Sequence, residues 1–97
     1  MNSIDFTRAA RRDLAEIWEY TASYSEARAD RLIDWLTSKF EKLADQPYFL
    51  GGEWEPGGDL RAFSAKQYTI FYTPFADGVR IERIIRAGPD LDALDLG

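Results

Sequence analysis

Residues 60–88, LRAFSAKQYTIFYTPFADGVRIERIIRAG, decide the fold because they read as three consecutive strands. The runs at 68–73 and 79–85 are rich in the aromatic and β-branched residues that favour strands. Asp77-Gly78 stands between them, and this dipeptide is a strong signal for a hairpin turn. Because a third run at 60–64 precedes the hairpin, the stretch predicts a three-stranded antiparallel meander.

This meander is basic although the chain is acidic. Residues 60–88 hold five arginines and lysines against two acidic residues, whereas the whole chain has a net charge of −5. Guanidinium groups suit the capture of a carboxylate or a phosphate, since two parallel hydrogen bonds can form. We therefore take four cations as candidate binding residues: Arg61, Lys66, Arg83 and Arg86.

Each of these cations also has a purely structural interpretation. Strict alternation places Arg83 on the apolar face of its strand, where it must be paired or open into a groove. Its predicted ion-pair partners are Glu82 and Asp90. For Arg61 the corresponding acids are Glu53 and Asp59. Arg86 and Lys66 lie at predicted strand ends, where simple solvation is the alternative to binding.

Two aromatic residues complete the set of candidates for contacting a target or another partner. Tyr72 could stack on a nucleic-acid base, or it could lie in the core with its hydroxyl at the surface. Trp35 falls beside the apolar stripe of its helix, where it could cover the neighbouring helix or meet a partner.

The segment before the meander predicts one strand and two amphipathic helices. Residues 1–7 alternate as a short strand, and Thr7 is a candidate N-cap. Helical apolar spacing covers 8–23 and 26–44, with Ser25 as the second candidate cap. Residues 45–59 contain two Gly-Gly pairs and two prolines, which predicts a loop. The order β-α-α-β-β-β predicts a single α+β domain over 1–97, in which an αα-hairpin packs on a small, mainly antiparallel sheet.

The composition of the chain limits the kinds of site it can form and indicates where in the cell it is located. The chain has no cysteine and no histidine, so disulfides, thiol nucleophiles and imidazole metal ligands are excluded. We expect no cofactor and no metal. The first residues lack the apolar stretch of a signal peptide, and no run approaches the roughly 20 apolar residues that a membrane span needs. We therefore expect a cytoplasmic protein without a membrane partner.

Several motifs, taken in order, resemble the RelE/ParE toxins of bacterial type II toxin–antitoxin systems, and the ParE-like branch in particular. They are ARRDLAEIWEYTA at 10–22, FEKLADQP at 40–47, Leu60-Arg61, YTIFY at 68–72, and VRIERII at 79–85 followed by Asp90. The resemblance implies a toxin neutralised by a ParD-like antitoxin of the ribbon-helix-helix class. It also implies that two toxins and two antitoxins form a heterotetramer or a larger assembly, in which only the antitoxin contacts DNA. The implied target of the toxin is DNA gyrase.

Under this interpretation the toxin acts by binding and has no catalytic residue. One alternative is a RelE-like endonuclease that cuts mRNA on the ribosome. Arg61, Arg83 and Arg86 would then hold the scissile phosphate, with Lys66 or Tyr72 as acid or base. The chain lacks a Tyr, His or Lys after Arg86, which weakens this alternative. The other alternative is an inert toxin homologue that acts only as an antitoxin-bound co-repressor.

Overall fold

The computed structural model describes residues 3–86, which form three helices and five strands. In chain order these are β1 (Ser3–Phe6), α1 (Arg8–Ala22), α2 (Glu26–Asp45), α3 (Pro47–Leu50), β2 (Gly52–Glu53), β3 (Arg61–Ala65), β4 (Tyr68–Phe75) and β5 (Gly78–Arg86).

The strands form one sheet in the order β1-β5-β4-β3-β2. Within the described residues, β1 and β5 pair in parallel and the other neighbours are antiparallel. The long helices α1 and α2 pack on one face of this sheet. The predicted α+β fold, with an αα-hairpin on a mainly antiparallel sheet, is confirmed.

Both predicted helix caps are present. Thr7 accepts a hydrogen bond from the Ala10 amide through its hydroxyl at 3.0 Å, and Ser25 does the same for Arg28 at 3.2 Å. These side chains satisfy amide groups that have no partner in the first turn of a helix. A hydrogen bond of 2.9 Å from Trp18 Nε1 to Asp30 Oδ1 joins α1 to α2.

The core lies between the helix pair and the sheet. Leu36, Phe40 and Leu43 of α2 are fully buried, as are Ile70 and Tyr72 of β4. From β5 the sheet adds Val79, Ile81 and Ile84 to the same cluster, and from β1 it adds the partly buried Ile4 and Phe6. Phe6 meets Phe40 edge to face at 5.3 Å, so the first strand is tied to the second helix.

The segment predicted as a loop at 45–59 is partly regular. It contains the single turn α3 and the two-residue edge strand β2, so the sheet has five strands rather than the four expected. Neither element has a sequence signal of its own, because each is too short for its apolar period to repeat. Trp54 of this segment packs edge to face on Phe71 at 5.0 Å, which anchors the loop to the sheet.

The predicted hairpin is present, and its glycine, Gly78, allows the neighbouring strand β1 to pack closely against β5. Strand β4 ends at Phe75 and β5 begins at Gly78, so the turn itself is Ala76-Asp77. A Cβ atom on Gly78 would lie 1.9 Å from the carbonyl oxygen of Ser3. Only glycine therefore allows β1 to approach β5 closely enough to pair with it.

Candidate interaction surface

The position of Arg83 is set by a β-bulge that the sequence alternation does not reveal. Tyr72 pairs with Ile81 and Phe71 pairs with Arg83, so Glu82 is the extra residue in β5. Beyond the bulge the alternation shifts by one, and Ile84 instead of Arg83 is buried. The prediction that Arg83 lies on the apolar face is therefore wrong.

Arg83 pairs with Asp13 of α1, a residue that is not among the candidates identified from the sequence. Its Nε and Nη2 donate to the two carboxylate oxygens of Asp13 at 2.7 and 3.0 Å. Neither predicted partner is used within the described residues, since Glu82 pairs with Arg80 at 2.9 Å and Asp90 lies outside 3–86. The bidentate geometry holds the Arg83 guanidinium, half of whose side-chain surface remains exposed, in a fixed orientation.

Asp13 also completes the edge of β5 where β1 has ended. Its Oδ2 accepts the Ile84 amide at 2.9 Å. Just before this point the Thr7 amide and hydroxyl donate to the carbonyls of Ile81 and Glu82. The start of α1 thus replaces the missing strand, which satisfies backbone groups that would otherwise be exposed at a sheet edge.

These contacts determine the charge state of the pair. Burial alone would raise the pKa of Asp13, but the hydrogen bonds from Arg83 and Ile84 and the nearby charges of Arg83 and Arg12 lower it below its usual value. The hydrogen bonds with Asp13 raise the pKa of Arg83. Both groups are therefore charged over the physiological range.

Arg83 and Arg86 line one side of a cavity of about 300 Å³ between α1 and β5. The Arg86 guanidinium carbon lies 4.8 Å from the centre of the Tyr20 ring, within the range of a cation–π contact. Hydrogen bonding with Arg86 lowers the pKa of Tyr20, and Tyr20 in turn raises the pKa of Tyr24. Tyr20 and Tyr24 are both exposed and meet edge to face at 5.7 Å.

A second cavity, of about 420 Å³, lies on the other side of Tyr68 and brings Trp35 and Lys66 together. Lys66 Nζ is 5.0 Å from the centre of the Trp35 ring, and Lys39 Nζ is 5.2 Å from it. Lys66 has a φ of 56°, a left-handed conformation that is uncommon outside glycine, in the turn between β3 and β4. Arg28 and Arg31 of α2 complete a lining that contains three cations and no acidic residue.

Tyr68 lines both cavities, so they are neighbours at this end of the sheet. We call this pair of cavities the basic groove. It has Tyr20, Arg83 and Arg86 on one side of Tyr68 and Arg28, Arg31, Trp35 and Lys66 on the other, and the first cavity is also lined by Asp13 and Glu16. Its cations can bind carboxylates or phosphates, and its aromatic rings can bind apolar groups. Within residues 3–86 no cluster of three or more His, Cys, Asp or Glu side chains could hold a metal ion.

Arg61 lies apart from the basic groove. Its Nη2 donates to the carbonyl oxygen of Tyr48 at 3.0 Å and also to that of Gly51, and its guanidinium carbon is 5.4 Å from the Tyr48 ring. Neither Glu53 nor Asp59 forms the predicted ion pair with it. Arg61 instead holds the turn before β2 against the sheet.

Tyr72 is fully buried, and its hydroxyl donates to the carbonyl of Pro47 at 2.6 Å. Gly51 lies against the same ring, because a Cβ there would be 2.1 Å from the Tyr72 hydroxyl. This burial does not agree with a direct contact between Tyr72 and a partner. It fits the structural interpretation, with the hydroxyl bonded inside the protein rather than to water.

The structure thus gathers four of the six candidates, Trp35, Lys66, Arg83 and Arg86, and separates Arg61 and Tyr72 from them. Asp13 is a site residue that was not predicted from the sequence, although a signal was present. Ala10, Asp13 and Ile17 are spaced three and four residues apart, and all three are buried in α1. An acid on this stripe required a cationic partner on the sheet.

A comparison with protein families gives a match over residues 4–91 to the sequence model described as "ParE toxin of type II toxin-antitoxin system, parDE". The chain belongs to the ParE toxin family. Its fold is similar to that of a solved chain from the chromosomal ParDE toxin–antitoxin system of P. aeruginosa, with a TM-score of 0.75 and 18% identity. That alignment covers 91% of this chain and 98% of the other. A search of curated protein sequences gave no match.

The family membership identifies this chain as a toxin of a type II toxin–antitoxin system. This agrees with the predicted ParE-like branch. Within residues 3–86, no helix combines the length and apolarity needed to cross a membrane.

Proposed function

We propose that this ParE-family toxin inhibits growth in the cytoplasm by binding DNA gyrase, and that a ParD-like antitoxin neutralises it. The toxin and antitoxin would form a heterotetramer of two copies each, or a larger assembly, with DNA contacted by the antitoxin. The observation that carries the proposal is the family match over residues 4–91.

The placement of the arginines favours binding over cleavage of RNA. An endonuclease of the RelE type would need Arg61, Arg83 and Arg86 around one phosphate. Arg61 and Arg83 line different cavities, and each is held by other partners, two backbone carbonyls for Arg61 and the Asp13 carboxylate for Arg83. Tyr72, the alternative acid or base, is buried.

We expect the purified toxin, free of antitoxin, to inhibit supercoiling of relaxed plasmid by gyrase, and its expression without antitoxin to arrest growth. The variant Arg86→Ala should weaken inhibition by about tenfold or more, the equivalent of about 1.4 kcal/mol, because it removes a cation of the basic groove. Arg80→Ala is the matched control: it also removes an arginine of β5, but Arg80 lies outside the basic groove and pairs with Glu82.

Two results would contradict the proposal. A toxin that leaves supercoiling intact but cleaves ribosome-bound mRNA is a nuclease. A folded toxin that has no effect on growth when expressed alone is an inert homologue, and its role would be confined to the complex with antitoxin.

A further inference from the structure

Strand β5 ends at the middle of the basic groove. Arg86, the last residue of β5, pairs directly with Tyr68 of β4. Because Tyr68 lines both cavities, strand β5 ends between them. Residues 87–97 lie outside the part of the chain that the structure describes, and their sequence is AGPDLDALDLG.

The charge of this segment is opposite to that of the second cavity. It contains three aspartates and three leucines and no basic residue. Residues 1–86 contain all twelve arginines and lysines and fourteen of the seventeen acids, so they are mildly acidic overall. The second cavity is an exception within this body, since Arg28, Arg31 and Lys66 line it without an acidic residue.

The groove also offers apolar surface for the leucines. Leu32 and Trp35 line the second cavity, and Ile17 and Ile84 line the first. Extended chain spans about 3.3–3.6 Å per residue, so the four residues 87–90 reach about 14 Å from Arg86. This is sufficient for the leucines at 91, 94 and 96 to lie over either cavity.

We propose that residues 87–97 of the same chain occupy the basic groove, with Asp90, Asp92 and Asp95 beside Arg28, Arg31 and Lys66. The leucines lie on the apolar floor around Trp35. A tethered segment of this length has an effective concentration on the order of millimolar, so individually weak ion pairs suffice to keep it bound. Any partner that uses the groove, including one required by the proposed function, must displace this segment.

The test uses the full chain, which has no natural cysteine. One variant carries Ala93→Cys with Gln67→Cys, because Gln67 is exposed and lines the second cavity. The matched control carries Ala93→Cys with Ser64→Cys. Ser64 is exposed and pairs with Thr69, so it lies on the sheet face away from the helices and just across the β3–β4 turn.

We expect the Gln67→Cys pair to form an intramolecular disulfide at least about tenfold faster than the control pair under mild oxidation, because binding raises the local concentration of the segment. High salt should reduce the difference, since the Debye length falls to about 3 Å at 1 M. Replacing the three aspartates of the segment by asparagine should also reduce the difference between the two rates. The unfolding midpoint of each variant shows that it is folded.

Equal rates for the two pairs overturn the proposal. So does a disulfide that forms between two chains rather than within one, because the groove then takes the segment of a second copy. Insensitivity to both salt and the asparagine substitutions would overturn the charge-based recognition. The assay contains neither gyrase nor antitoxin, so its outcome is independent of the proposed target.

Discussion

Replacing Asp13 by alanine should lower the free energy of unfolding by about 3 kcal/mol. The change removes a carboxylate that accepts two hydrogen bonds from Arg83 and one from the Ile84 amide. Hydrogen bonds to a charged group contribute about 1.5–3 kcal/mol, and a buried amide left without a partner costs about 1–3 kcal/mol. In a domain of this size a loss of 1 kcal/mol lowers Tm by about 4–8 °C, so thermal unfolding will detect the change clearly.

Two controls separate this role from a general effect of charge. Glu16→Ala removes an exposed carboxylate from the same helix and the same cavity, and should change stability by no more than about 0.5 kcal/mol. Asp13→Asn keeps an oxygen that can accept the Ile84 amide, so its loss should be smaller than that of Asp13→Ala. If Asp13→Ala and Glu16→Ala are equivalent by urea denaturation, Asp13 does not hold α1 on β5.

The Asp13 carboxylate should also make the free energy of unfolding depend on pH in the acid range. Because the pKa of Asp13 is lower in the folded protein than its ordinary value, the folded state binds fewer protons than the unfolded chain. Its contribution is therefore complete above the ordinary carboxyl pKa of about 3.9, and it is lost as pH falls through the lower folded pKa. The difference in unfolding free energy between wild type and Asp13→Asn should be constant from about pH 6 to 8 and should shrink below about pH 4. If this difference in unfolding free energy stays constant down to pH 2, the predicted role of the Asp13 carboxylate is wrong.

The bulge in β5 explains why the sequence predicted the fold better than the surface. Apolar periodicity identified both helices and the meander, since the elements are long enough to repeat their period. In β5, VRIERII satisfies strict alternation and bulged alternation almost equally well, because Ile84 and Ile85 are both apolar. The choice between them depends on tertiary contacts: Ile84 fits the core under α1, and Asp13 accepts its amide. A pattern within one strand contains neither constraint.

The partners of Arg61 were hidden for a different reason. The predicted partners of Arg61 are the acids Glu53 and Asp59, but the groups that accept its hydrogen bonds are the backbone carbonyls of Tyr48 and Gly51. Every residue carries a carbonyl, so residue types cannot reveal which one is used. The basic groove was missed as a unit because Arg28 and Arg31 come from α2, far along the chain from the meander.

Replacing Tyr72 by alanine should lower the free energy of unfolding by about 3–5 kcal/mol, as for other large aromatic residues in a core. The ring is fully buried beneath α3 and Gly51, and its hydroxyl bonds to Pro47. Tyr72→Phe keeps the ring and should cost only about 1 kcal/mol, the usual net value of one hydrogen bond. Tyr24→Ala is the control at an exposed ring, and should cost no more than about 0.5–1 kcal/mol.

The pair Tyr72→Phe and Tyr72→Ala also decides whether the residue has a function beyond stability. If Tyr72 is structural, the phenylalanine variant arrests growth like the wild type, and any loss in the alanine variant follows its unfolding midpoint. If the hydroxyl is used on a partner, as the sequence had suggested, the phenylalanine variant loses activity while it remains folded. Since Tyr72 is fully buried and its hydroxyl donates to Pro47 of α3, a partner could contact it only after α3 moves away from the sheet. We therefore expect the first outcome, measured by growth after induction together with urea unfolding of the purified variants.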